Sequence, residues 1–190
     1  MLLTDELKEC THAAHQATEK KMVMALKRLR SKEDYIRLLQ WLYGFYGPME
    51  DLIRRYLAGH DLPAFAGARR SDALLTDILD SSLPVCLELC PDLPPLGSSN
   101  HALGALYVLE GSALGGRVIA DMVTRQIGIR ESLSFFNGYG DQTEERWRTF
   151  KDFLDRDRPA GQRQDIITAA RETFITFKNW IDKNELQPQL

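Results

Sequence analysis

The stretch Leu103-Gly104-Ala105-Leu106-Tyr107-Val108-Leu109-Glu110-Gly111-Ser112-Ala113-Leu114-Gly115-Gly116 is an apolar helical pattern broken by glycine. Gly111, Gly115 and Gly116 crowd into about a turn and a half of it. Each costs roughly 1 kcal/mol relative to alanine inside a helix. A chain that carries that penalty repeatedly needs something alanine cannot give: a kink, or a backbone surface without Cβ that another body can approach. On α-helical spacing Gly111 and Gly115 share a face and leave a bare patch. Either a neighbouring helix or a flat ligand can lie there.

A second feature lies near the N-terminus, in Thr11-His12-Ala13-Ala14-His15-Gln16-Ala17-Thr18-Glu19. His15 and Glu19 are four apart and therefore neighbours on one helical face. A carboxylate beside an imidazole can accept the Nδ1 proton and leave Nε2 free to bind a metal. The same pairing also serves as a solvated surface pair, and the spacing alone does not choose. His12 with Gln16 mimics the spacing, but an amide is the weaker orienting partner.

Helical periodicity dominates the chain, without convincing alternating strands. It predicts an all-α, single-domain protein over residues 1–190. A first helix spans about Asp5 to Leu29, with Thr4 as its N-cap. Ser31-Lys32-Glu33-Asp34 has the form of a capping box opening a second helix to about Leu57, interrupted at Gly44 and Gly47 and bent at Pro48. Asp61–Gly67 reads as a loop. Ser71 opens a shorter helix to about Leu79, and Pro84 starts another turn or two. Pro91-Asp92-Leu93-Pro94-Pro95 is a firm break. The glycine-broken helix then runs, bent, from about Ser99 to Ile127. Glu131–Gly140 reads as irregular, Asp141-x-x-Glu144 as a capped helix start, and Gln162 to Lys183 as a last helix with an apolar face.

The charge balance excludes some functions. The chain holds 24 Lys and Arg against 27 Asp and Glu, a net charge of −3, so no basic excess points to nucleic acid. Cys10, Cys86 and Cys90 make no repeated CxxC pattern, and their odd number fits a reducing cytoplasm better than a disulfide scaffold. Cys86 and Cys90 read as core or partly buried thiols on one helical face. No signal-peptide pattern opens the chain, and no run reaches the roughly 18–20 uninterrupted apolar residues of a membrane span. The expectation is a cytoplasmic protein without a membrane anchor.

Taken together, Leu7-Lys8-x-x-Thr11-His12-x-x-His15, Gly104-x-x-Tyr107-Val108-x-Glu110-Gly111-Ser112-x-x-Gly115-Gly116, Phe136-x-Gly138-Tyr139-Gly140 and Trp147-x-x-Phe150 resemble the bacterial heme oxygenases. The resemblance runs from about residue 5 to about residue 182. It implies a helical bundle with heme between the N-terminal helix and the glycine-kinked helix, and heme degradation with O₂ and electrons to biliverdin, ferrous iron and CO. His15 would be the proximal iron ligand, oriented by Glu19. The backbone at Gly111, Ser112, Gly115 and Gly116 would lie across the opposite heme face.

At the heme edge the resemblance places Tyr107 against a propionate. Lys8, two turns before His15, can reach the same edge, and Phe174 and Phe177 offer aromatic contact or plain core. The animal branch carries an aspartate where this chain has Ser112, so proton supply would rest on ordered water near Ser112, with Glu110 either assisting at longer range or acting as a buried structural partner. Arg117 can face solvent or a propionate. Electrons would come from a ferredoxin, a flavoprotein reductase or a small reductant, since the chain has no flavin motif. The Phe136–Tyr139 stretch resembles chains associated with bacterial phytochromes, which makes a bilin-accepting photoreceptor a candidate partner. Two other readings remain at this point. One is a non-catalytic heme carrier or sensor. The other is an unrelated enzyme of the thiamin-hydrolysing type, which needs a catalytic cysteine that the contexts of Cys86 and Cys90 do not suggest.

Overall fold

Ser31 is in extended conformation, and its hydroxyl accepts the Asp34 amide at 3.2 Å, so the capping box opens a helix where the sequence places it. The computed structural model describes residues 1–60 and 70–184; the loop expected at 61–67 lies outside them. Its helices are α1 (Leu3–Lys27), α2 (Lys32–Leu57), α3 (Arg70–Asp80), α4 (Ser99–Gly111), α5 (Gly116–Ile127), the short α6 (Ser134–Asn137), α7 (Thr143–Leu154) and α8 (Ala160–Lys183). A 3₁₀ turn, Ser112–Gly115, joins α4 to α5, and a second, Gly140–Gln142, precedes α7. Among the described residues there is no strand.

The long helices lie side by side in the order α1, α8, α4, α2, α3. One core runs through them, with Leu7, Tyr35, Leu39, Phe45, Met49, Leu74, Phe150, Leu154 and Ile166 buried. The α4–α8 crossing is the tightest contact in it. A methyl group on Gly104 would overlap the Ile166 carbonyl oxygen and stand 2.9 Å from the Ala170 nitrogen. The absent Cβ is what lets the two backbones touch. By length and composition the rod Ser99–Ile127 reaches what a membrane crossing needs; in the fold its α4 half is the centre of the bundle, with Leu103, Leu106 and Leu109 buried.

Several sequence expectations change on contact with the fold. Pro48 stands inside α2, which continues through it to Leu57 as the sequence predicts. Proline has no amide hydrogen to return to the Gly44 carbonyl, and that carbonyl instead accepts the Cys90 amide at 2.8 Å. Residues 84–97 are therefore not the helical turn expected at Pro84 but an extended strap laid over Gly44. Cys86 is exposed and Cys90 buried on this strap, not paired on a helical face. Thr4 is inside α1 rather than its N-cap; its amide and hydroxyl donate to the Asp155 carboxylate at 2.8 and 2.7 Å. Asp141 caps nothing, because it sits in the 3₁₀ turn and its carboxylate takes Arg117 at 3.1 Å. The stretch 131–140 is not wholly irregular: α6 lies within it, with the buried Asp77 carboxylate accepting the Ser134 and Phe135 amides at 3.1 and 2.9 Å.

Candidate functional site

The rod kinks where the sequence predicts, yet no glycine there uses its conformational freedom. Gly111, Gly115 and Gly116 all have right-handed backbone, with φ of −59°, −85° and −61°. They serve space instead, and the space differs at each. Gly116 is pressed on α6: a Cβ would overlap the Phe136 carbonyl oxygen. Gly111 faces the Trp147 indole, 3.3 Å from where a Cβ would stand. Gly115 faces nothing within 4 Å. The bare patch expected from the pair Gly111 and Gly115 is thus open only at Gly115. The cause is the 3₁₀ turn between them: at three residues per turn, four steps separate two positions by about 120°, where an α-helix separates them by about 40°.

Beside Gly115, Leu114 is 44% exposed and Val118 65% exposed. Val118 lies one turn beyond Gly115 and the half-buried Met122 one turn beyond that. The face is carried by α5, which contacts α1. The two helices are tied at their C-terminal ends, where the Gln126 side chain donates to the carbonyls of Lys27 at 3.1 Å and Leu29 at 2.7 Å. Counting back at 1.5 Å per residue, His15 lies about 18 Å from that tie on α1 and Gly115 about 17 Å from it on α5. Each therefore lies several turns along its own helix from that tie. His15 is exposed, with its ring centroid 5.2 Å from that of Phe174. Glu19 is exposed too, and among the described residues no hydrogen bond joins it to His15.

The inner flank of the kink is polar and filled. Arg70, 5% exposed, donates from Nη1 to the Leu109 carbonyl at 2.9 Å and to Ser112 Oγ, and from Nη2 to the Phe135 carbonyl at 3.3 Å. Its guanidinium carbon stands 4.3 Å from the centre of the Phe135 ring. Ser112 donates its one hydrogen to the Leu109 carbonyl at 2.6 Å, so the Tyr46 hydroxyl, 2.7 Å away, is the donor to Ser112 Oγ. Both lone pairs and the hydrogen of Ser112 are then occupied by protein groups. Glu50 accepts the Arg70 amide at 3.0 Å and the Ser71 hydroxyl. Burial pushes the Tyr46 phenol pKa up, against the opposing pull of Arg70.

The outer flank is built by residues 138–147. The Tyr139 hydroxyl donates to Glu110 Oε1 at 3.1 Å, and the Arg146 guanidinium covers the Tyr139 ring at 3.5 Å. Trp147 lies on Gly111 and also against Tyr107, ring centroids 5.2 Å apart. Glu110 is 6% exposed, a buried partner of the fold. Burial raises its pKa, opposed by Tyr139, Arg70 and Arg146.

The remaining sequence candidates divide. Lys8 is exposed on α1. Phe177 turns into the core, its ring 4.7 Å from Phe45 and 6.0 Å from Tyr46, so of the two α8 phenylalanines it is Phe174 that meets His15. Arg117 faces solvent with Asp141. Sequence reasoning missed Arg70, Glu50 and the hydroxyl role of Tyr46. Tyr46 gave one signal, a phenol on an otherwise apolar stripe that needs a partner when buried. Arg70 gave none.

The donor set suits an iron that brings most of its own ligands. Among the described residues no group of three or more His, Cys, Asp or Glu could hold a bare ion. An exposed imidazole and a stretch of bare backbone beside apolar side chains are the kinds of group that meet the two faces of a flat iron macrocycle.

A family model described as heme oxygenase matches residues 1–183. A heme oxygenase of Xanthomonas campestris pv. campestris (strain 8004) is 39% identical over 111 residues, 57% of this chain and 65% of that protein. The match thus spans just under two thirds of the relative's length. Among solved structures, the NO- and CO-bound heme oxygenase of Neisseria meningitidis superposes with a TM-score of 0.76 at 24% identity, covering 100% of this chain and 96% of that one. Heme oxygenase-1 of the cyanobacterium Synechocystis sp. PCC6803, solved in complex with heme, gives 0.77 at 15% identity, covering 96% and 92%. At these identities the structural likeness is one of fold.

Proposed function

Because the chain belongs to the heme oxygenase family, we propose that it is a heme-degrading monooxygenase, converting heme, O₂ and electrons into biliverdin, ferrous iron and CO. The observation that carries the reading is the bare Gly115 backbone in the interrupted rod, with nothing within 4 Å of where a Cβ would stand. When bound, heme supplies both the iron at which O₂ is reduced and the ring carbon that is oxidised.

The chain's own part is position, exclusion and charge. His15 Nε2 would hold the iron from α1, and Phe174 beside it limits rotation of the imidazole. Glu19, one turn on, orients Nδ1 through water. On α5 the bare backbone at Gly115 would let the chain stand close to a bound heme face, while Gly111 and Ser112, covered by Trp147 and Arg70, would fix the turn that carries it. Leu114 and Val118 exclude water from the same face. Gly116 seats this wall on α6.

Behind the wall, Arg70 holds a buried positive charge against Ser112 and Leu109. It favours negative charge developing on the open side without reorganising. The chain Tyr46–Ser112–Leu109 ends on a carbonyl and fixes the turn rather than relaying protons; ordered water on the open side would supply them. Tyr107 and Lys8 serve the propionate edge. The setting is cytoplasmic; a ferredoxin, a flavoprotein reductase or a small reductant donates electrons, and a bilin-accepting photoreceptor is one destination for the product.

A hemin titration followed by ascorbate in air tests the reading. One-to-one binding with a sharp Soret band that decays into a red-absorbing bilin band is the expected result, and His15→Ala loses both. Binding without Soret decay would instead indicate a heme carrier or sensor. Failure to bind hemin would overturn the reading altogether.

A further inference from the structure

Three contacts reach the kink from one continuous stretch of chain. Tyr139 donates to Glu110, Trp147 lies on Gly111, and Gly138 packs beside Ala113, 3.7 Å from its methyl where a Cβ would stand. Only the first is polar and directional, and unlike the exposed Arg117–Asp141 pair it holds the stretch from a buried group. Gly138 and Gly140, on either side of Tyr139, have φ of +58° and +59°. That left-handed backbone is costly for any other residue. The Tyr139 ring is held from behind by Arg146.

Glu110 is an expensive residue where it stands. It is buried at the C-terminal end of α4, where the helix presents negative potential. A carboxyl buried there without a hydrogen bond is unfavourable, and a leucine would fill the space without that cost. The charged and titratable groups around it come from four elements: Arg70 on α3, Glu50 on α2, Arg146 on α7 and Tyr139 before it. None of these contacts touches the open face at Gly115, yet all bear on the turn that carries it.

Resting on the heme-degrading reading above, we propose that Glu110 is a positioning residue for the reaction. Through the Tyr139 hydroxyl it holds the 138–147 stretch against the outer flank of the kink, and so determines where the Gly115 backbone stands over the substrate and which ring carbon is attacked.

The test uses the full chain with Tyr139→Phe, Glu110→Leu and Glu110→Gln. Without hemin, and in a background where Trp41 and Trp180 are replaced by Phe so that Trp147 is the one emitter, the emission shifts to the red in Tyr139→Phe and Glu110→Leu. In Glu110→Gln, whose amide oxygen still accepts from Tyr139, it stays in place. With hemin, the first two keep the Soret complex but change the ratio of biliverdin isomers by about threefold or more, and Glu110→Gln restores the wild-type ratio. Loss of fold alone would lower the yield and leave the ratio untouched. Should Glu110→Leu fail to fold, Tyr139→Phe decides, since it removes one oxygen and keeps the ring. Wild-type emission and isomer ratio in Tyr139→Phe overturn the proposal while bilin formation leaves the heme-degrading reading standing. Absence of bilin from the wild type overturns both.

Discussion

Gly104 and Gly115 lie on the same rod, both in right-handed backbone, and they do opposite things. Gly104 is filled: α8 backbone occupies the space where its Cβ would be. Gly115 is bare, with nothing within 4 Å and exposed leucine and valine beside it. The comparison separates two uses of one residue. A glycine that a helix presses against serves stability; a glycine that nothing presses against carries its helix penalty without any packing return.

The sharpest way to break the comparison is to add a methyl group at each position. Gly104→Ala should cost about 3 kcal/mol, because neither backbone can move aside, and should lower the melting temperature by about 6–12 °C for a chain of this size. A melt within about 2 °C of wild type would show the crossing to be loose. Arg70→Met comes next, since it leaves the Leu109 and Phe135 carbonyls and the Ser112 hydroxyl without their buried donor; a loss of about 3 kcal/mol is expected in urea unfolding.

Gly115→Ala should act in the opposite direction on the protein without hemin, raising its stability by about 0.5–1 kcal/mol. In a hemin titration the same variant should bind more weakly and turn over more slowly. Equal hemin affinity would remove Gly115 from the site. His15→Ala should change unfolding by less than about 0.5 kcal/mol, because the ring is exposed and makes one aromatic contact, while the Soret complex is lost.

The smallest effect concerns pH. Burial raises the folded-state pKa of Glu110 above its ordinary value of 4.5. An acid shifted in that direction adds stability below the ordinary value and loses it as pH rises through the raised one, because the folded state then holds a proton that the unfolded state has released. Glu110→Gln lacks that loss. Its unfolding midpoint in urea, relative to wild type, should therefore rise between about pH 5 and about pH 8; a constant difference would mean that Glu110 is charged in the fold at both.

Legibility tracked the range of the interactions. Local chemistry was readable: the Ser31 capping box, the break at Pro91–Pro95, the kinked rod from Ser99 to Ile127 and the last helix all stand within a residue or two of where the sequence puts them. The family resemblance also proved correct. Long-range partners were not readable. Thr4 looked like a cap because its real partner, Asp155, lies 151 residues away. Asp141 looked like a cap until Arg117 took its carboxylate. Phe174 and Phe177 share an apolar face in periodicity, and only tertiary packing sends one to His15 and the other to Phe45. The 3₁₀ turn escaped notice because it preserves the helical pattern while rotating α5 about the rod axis. That rotation hides Gly111 under Trp147 and leaves Gly115 open.

The Gly44 carbonyl released by Pro48 has a consequence for chain entropy. The connection from α3 to α4 runs from residue 81 to residue 98, and the bond from the Cys90 amide to that carbonyl pins it near the middle. One long loop becomes two short ones, each closed against a helix already in place. Closure entropy changes by only about 0.6 kcal/mol for each doubling of loop length, so a few extra residues in either half should be tolerated. Shifting the proline by a single position should not be, because the freed acceptor would turn about 100° around the helix and the strap would lose its anchor on Gly44.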